Sequence, residues 1–247
     1  MKCITPRLAI IALAASALSF LGSAGAQTLV YSNTTTFTGQ GATNGGVTSD
    51  TGTRQTNLVA DDLTYDPAFA LNTVTRFTFS LANFNSTSQA LTPSIRFYSN
   101  DGANGGPGTL LAGFNFGAIT MAAGSVNTFS FNIPAANQFP LPATGTLWAG
   151  MYFSSGSQTA AVMNNFGQAI FNPPTIGSSA DRAFFGSTPG TQTTGNPAGS
   201  VVNSPFSGNP VANFGWQITA VPEPSTVAFV VFGVGLLVAG HRLKRKR

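Results

Sequence analysis

Between residues 27 and 220 the chain never sustains a helical period. Apolar side chains return at every second position in short runs, and clusters of Gly, Pro, Asn and Ser separate the runs. Thr75 to Phe84 places Phe77, Phe79 and Leu81 on one face and Thr78 and Ser80 on the other. Ser94 to Ser99 sets Ile95 and Phe97 against Arg96 and Tyr98, and Ser125 to Ile133 sets Phe129, Phe131 and Ile133 against Thr128, Ser130 and Asn132. Leu147 to Phe153 is apolar on both faces, as a central strand is. Phe214 to Ile218 alternates cleanly and is placed to close a sheet. Leu29 to Phe37, Leu110 to Ile119, Ala160 to Asn164 and Arg182 to Phe185 are less regular strand candidates. Many short strands with turn signals between them predict an all-β fold. The expected body is a single β-sandwich, jelly-roll-like, with Phe and Leu filling a core about 10 Å thick. Its longest interruptions are Gly39 to Thr56 and Gly186 to Asn213, and no internal repeat suggests a solenoid.

The charge is distributed unevenly. A formal +4 invites a nucleic-acid reading, but the basic residues crowd the two ends: Lys2 and Arg7 at one, Arg242, Lys244, Arg245, Lys246 and Arg247 at the other. The body holds only Arg54, Arg76, Arg96 and Arg182 against Asp50, Asp61, Asp62, Asp66, Asp101 and Asp181, a net charge of −2. A phosphate-tracking surface needs a basic stripe on the folded body. Nucleic acid is therefore excluded as a partner. The exterior must instead be built from Ser, Thr, Asn and Gln, because charged residues make up only 7% of the chain against roughly 25% in ordinary proteins.

Residues 1–26 read as a secretory signal peptide. Lys2 and Arg7 form the positive region, Leu8 to Leu21 the apolar helix, and Ala24 and Ala26 the small residues a signal peptidase requires. Cleavage after Ala26 would leave Gln27 first. Cys3, the one cysteine, would leave with the peptide, so the body has no disulfide framework.

Residues 221–247 carry a second three-part signal. Val221, Pro222, Glu223, Pro224, Ser225 and Thr226 form a stiff, turn-like stretch. Val227 to Gly240 is free of charge and reads as a short transmembrane helix, about 21 Å at 1.5 Å per residue. The tail from His241, with Arg242, Lys244, Arg245, Lys246 and Arg247, would stop transfer on the cytoplasmic side. In this order and position, these residues resemble the PEP-CTERM sorting signal of Gram-negative bacteria. The resemblance implies an exosortase that cuts near the Pro-Glu-Pro motif and frees or re-attaches the body outside the inner membrane. Separately, Ile95 to Phe114, preceded by Ala60 to Leu63, resembles β-sandwich domains of exported bacterial proteins that bear sorting tails.

Within 27–220 there is no His, Cys, Lys or Glu. This removes triads built on His, imidazole and thiolate metal sites, and Schiff-base and P-loop chemistry. Six aspartates remain as acid–base groups. A glycosidase holds two carboxyls apart across a cleft, whereas Asp61 and Asp62 are adjacent and, in a strand, point to opposite faces. An enzyme is not expected. Asp61, Asp62, Asn100 and Asp101 are candidate oxygen ligands for Ca²⁺, weighed against Asx-turns in the Asn100 to Gly108 loop and a charged sheet edge at Asp61 and Asp62. Trp148, Trp216 and Tyr152 are weighed as core packing against a platform for sugar rings. The expected product is an exported structural or interaction protein of the cell surface or extracellular matrix, with exopolysaccharide as a candidate partner and no required cofactor. The alternative is a carbohydrate-binding or adhesive module, Ca²⁺-assisted.

Overall fold

The computed structural model describes residues 26–43, 57–153, 162, 165–188 and 190–222. The compact body is Thr28–Ala220. Of the segments flanking it, Ala26, Gln27, Val221 and Pro222 are described. The signal-peptide helix with Ala24, and the sorting residues Glu223, Pro224 and Ser225 with the apolar helix and basic tail, lie outside the described residues. Among the described residues no helix is long and apolar enough to cross a membrane.

The body is all-β and sandwich-like. Its strands are β1 (Thr28–Ser32), β2 (Phe37–Thr43), β3 (Val59–Thr64), β4 (Thr73–Asn83), β5 (Gln89–Leu91), β6 (Pro93–Ser99), β7 (Leu110–Asn115) and β8 (Ile119–Met121). They continue with β9 (Ser125–Asn132), β10 (Phe139–Pro140), β11 (Thr146–Phe153), β12 (Phe166–Phe171), β13 (Arg182–Gly186), β14 (Gly199–Asn203) and β15 (Trp216–Val221). Seven strands form one sheet in the order β1-β15-β4-β12-β2, with β9 and β10 along the other side of β4. Six form a second, β14-β13-β3-β11-β6-β7, and β5 pairs β8 in a small ribbon.

The alternation in the sequence becomes the two faces of each sheet. Phe77, Phe79 and Leu81 of β4 are buried in the main core. On the opposite face, the hydroxyls of Thr78 and Ser80 pair with those of Ser130 and Thr128 on β9, both at 2.9 Å. The core joins the large sheets through aromatic rings: Phe77 lies 5.1 Å from Phe97 of β6, and Phe97 lies 6.0 Å from Trp216 of β15. Strand β11 is buried along its whole length between β3 and β6. Leu147, Ala149, Met151 and Phe153 enter the main core, while Trp148 and Tyr152 pack on the outer side with Leu58, Tyr98 and Phe184.

That outer side is dry because two loops cover it. The Trp148 indole donates to the Gly105 carbonyl at 3.0 Å, and the Tyr98 hydroxyl donates to the Gln192 carbonyl. The long interruption after Gly186 is therefore a folded cover containing β14. The strands also shift from the expected bounds. The Leu29 to Phe37 candidate divides into β1 and the start of β2, and Leu110 to Ile119 into β7 and the start of β8. Phe214 precedes β15 as an isolated bridge to Ile170, and Val221, expected to open the sorting motif, ends β15. Apart from Val162, the Ala160 to Asn164 candidate lies outside the described residues; the described strand in that region is β12.

Candidate functional site

Strand β3 carries Asp61 and Asp62 into the middle of a sheet. Its neighbours are β13 and β11, so the charged-edge reading is corrected: these aspartates sit in an interior strand. Asp61 is flanked in register by Ala149 and Ala183. Both carboxylates are buried, at 0% and 2% exposure. Burying charge demands partners, and the chain supplies them from far away.

Asp61 Oδ2 accepts from the Phe214 amide at 2.7 Å, a link from one large sheet to the segment entering the other. Asp62 Oδ2 accepts from Arg182 Nε at 2.7 Å, and the guanidinium lies 5.2 Å from the Trp148 ring centre. Asp62 Oδ1 also accepts from the Ala180 amide at 3.2 Å. Simple alternation would separate the two side chains, yet both reach one hydroxyl. Ser179 Oγ stands 2.8 Å from Asp61 Oδ1 and 3.3 Å from Asp62 Oδ1. The cause is a slip in register between the Ala183–Asp61 pair and the Ser178–Thr64 bridge; the extra chain brings Ser179 against the strand between them.

One hydroxyl proton cannot serve two carboxylates. If Asp61 holds a proton it donates to Ser179 Oγ, and Ser179 then donates to Asp62, so every contact is satisfied. The energetics agree. Burial, reinforced by the charge of Asp62, pushes Asp61 well above the ordinary carboxylate range. Burial also raises Asp62, but Arg182 opposes it, which makes Asp62 the member that carries the charge. Tyr31, buried beside Ser179, is raised by burial first and then by the two carboxylates. The two carboxylates are buried and their oxygens are met by N–H, O–H and guanidinium donors, while Ser179 and Arg182 are half-buried. The cluster ties together chain segments far apart in sequence.

The second sequence candidate is the loop between β6 and β7. Asp101 is exposed; its Oδ1 accepts from the Ser99 hydroxyl and, at 2.7 Å, from the Thr109 amide, and its Oδ2 accepts from Thr109 Oγ1 at 2.7 Å. These donors hold its pKa at about 2. The carboxylate closes the loop as an Asx-type staple, and Asn100 beside it is half-buried. Gly108 makes this possible, because a Cβ there would stand 1.8 Å from Asp101 Oδ1 and 2.5 Å from the Gly102 nitrogen. Gly108→Ala should therefore break the staple and return Asp101 toward 3.8, measured by carboxyl NMR titration. Because the native pKa is depressed, the stabilisation is present above about pH 3.8 and fades as pH falls toward 2. The variant should lack that fading.

Among the described residues no three His, Cys, Asp or Glu side chains gather as a metal-holding group. Trp148, Trp216 and Tyr152 are all buried, so none offers a ring face to a sugar. Exposed aromatic surface occurs instead at Phe37 and Phe84, whose rings are near-parallel with centres 6.5 Å apart. Sequence reasoning located the two aspartates but not Ser179, Arg182 or the Phe214 amide, which lie 118 to 153 positions away. Comparison of the chain with protein-family models, with curated proteins and with solved structures finds no match.

Proposed function

We propose that this chain is an exported, non-catalytic β-sandwich protein of the cell surface or extracellular matrix, delivered by an N-terminal signal peptide and sorted through a C-terminal PEP-CTERM signal. One observation carries the non-catalytic part. Each of the five described aspartates accepts a hydrogen bond that holds the fold: Asp61 from Phe214, Asp62 from Arg182, Asp66 from Ala68, Asp101 from Thr109 and Asp181 from Ala212. With His, Cys, Lys and Glu missing from residues 27–220, the carboxylates among the described residues are all engaged in structural hydrogen bonds. The sorting part rests on the residues of the two ends.

The interaction role follows from the surface. Hydroxyl and amide groups dominate it and charge is sparse, which suits contact with hydrated neutral polymers such as exopolysaccharide. Replacing Glu223 or deleting Arg242 to Arg247 should leave the body folded and change its destination. Fractionation of the producing cells reads the result. Unchanged delivery of both variants to the cell exterior would overturn the sorting assignment.

A further inference from the structure

A strand at the edge of a sheet presents unpaired N–H and C=O groups, and folded proteins ordinarily blunt it with charge, proline, a bulge or short length. Among the described residues, β1, β2, β7, β9, β10 and β14 of the two large sheets each have one strand neighbour. Pairing of β1, β2 and β7 is broken by register shifts. β10 is two residues long and contains Pro140, and β14 is five residues long. β9 has none of these protections. It pairs with β4 through eight consecutive residues without a shift, and Ser-Val-Asn-Thr-Phe-Ser-Phe-Asn contains neither charge nor proline. Thr128, Ser130 and Asn132 are exposed. Phe129 and Phe131 are half-buried against Phe79 and Phe77, at 5.4 and 5.3 Å, and leave the apolar core partly open along this edge.

We propose that β9 is a self-pairing edge, through which two copies of the chain join antiparallel about a two-fold axis at Phe129. A second copy fits because the strand is self-complementary about that residue. The two-fold places Thr128 opposite Ser130 of the second copy and Asn127 opposite its Phe131. Residues that face the core then meet residues that face the core. The Thr–Ser pairing repeats one the sheet already uses between Thr78 and Ser130 and between Ser80 and Thr128. An identical chain brings no like charge to this edge, and the symmetric contact closes as a dimer. One strand pair buries less than the roughly 1,200 Å² of a stable interface. Association is therefore reversible in solution and strengthened where copies are crowded on a surface.

Sedimentation equilibrium of the full chain in non-ionic detergent tests this. The parent should show a reversible dimer, and Thr128→Lys with Ser130→Lys should raise its Kd at least tenfold. Mixing that variant with one carrying Thr128→Glu and Ser130→Glu should restore association, since the register sets each lysine against a glutamate. A monomeric parent at ~200 µM, far above a micromolar Kd, would overturn the proposal. So would a dimer indifferent to the lysines, or charge-swapped variants that keep the parental Tm and fail to associate. Hydrogen exchange of the parent supplies a measurement that needs no substitution. Outward amides of Ser125 to Asn132 should gain protection with concentration, and exchange independent of concentration would contradict the pairing.

Discussion

Phe77→Ala is expected to destabilise the body by ~3–5 kcal/mol, the range for emptying a buried aromatic site. Its ring is fully buried, 5.1 Å from both Phe97 and Phe114, 5.3 Å from Phe131 and 6.3 Å from Phe79 and Phe116. Phe97 and Phe114 belong to one large sheet and Phe79 and Phe131 to the other, so no single strand can shift to fill the space. Against a typical total of about 5–15 kcal/mol, the loss leaves a marginal fold. Urea unfolding should show a lower midpoint with an unchanged slope. Phe37→Ala, at a ring 36% exposed, should cost well under half as much. Equal costs at the two positions would mean that the core is not where the ring contacts place it.

The second large effect separates two substitutions at one residue. Asp61→Ala leaves the Phe214 amide buried without its acceptor, a loss of ~2–4 kcal/mol once the Ser179 contact is included. Asp61→Asn should cost far less. Its carbonyl can still accept from Phe214, and its amide can donate to Ser179, which then donates to Asp62, as the protonated carboxyl does. The two variants also differ from the parent in pH dependence. A native pKa above the ordinary carboxylate value means the folded state holds a proton that the unfolded state has released. Parental stability is thus fully present below about pH 3.8 and declines as pH rises through the raised value. Asp61→Asn should reduce that decline to the smaller one left by the raised Asp62, as read by unfolding midpoints across pH 4 to 9. A parent whose stability is flat or rising over this range, once Asp101 is accounted for near pH 2, would remove the shared proton.

Strands with strict Phe–polar alternation were legible from residue order alone. Strands β4, β6, β9 and β11 fall within two residues of their expected bounds, since each carries its own burial pattern. β3 was obscured by its two aspartates, which read as an edge because carboxylates are ordinarily solvated. Only the third dimension brings Arg182, Ser179 and Phe214 to them. β12 hid for a related reason. Its Gly167 and Gln168 interrupt any apolar period, yet Gln168 is 1% exposed and donates to the Val59 carbonyl at 3.0 Å. β14 lay inside a Gly, Ser and Asn-rich stretch that reads as loop, and it exists because β13 offers it a partner. Local periodicity thus reveals strands whose burial is apolar. Strands stabilised by polar contacts with distant residues need the fold itself.

The account turns on the proposal that a charge-poor all-β body is delivered and trimmed at both ends. The intact mass of the protein recovered from the exterior of its own cells is the direct measure. It should correspond to a chain that begins at Gln27 and lacks the segment beyond the Pro-Glu-Pro motif, well below the 25.4 kDa of the full sequence. Recovery at the full mass, with both terminal segments still attached, would contradict it.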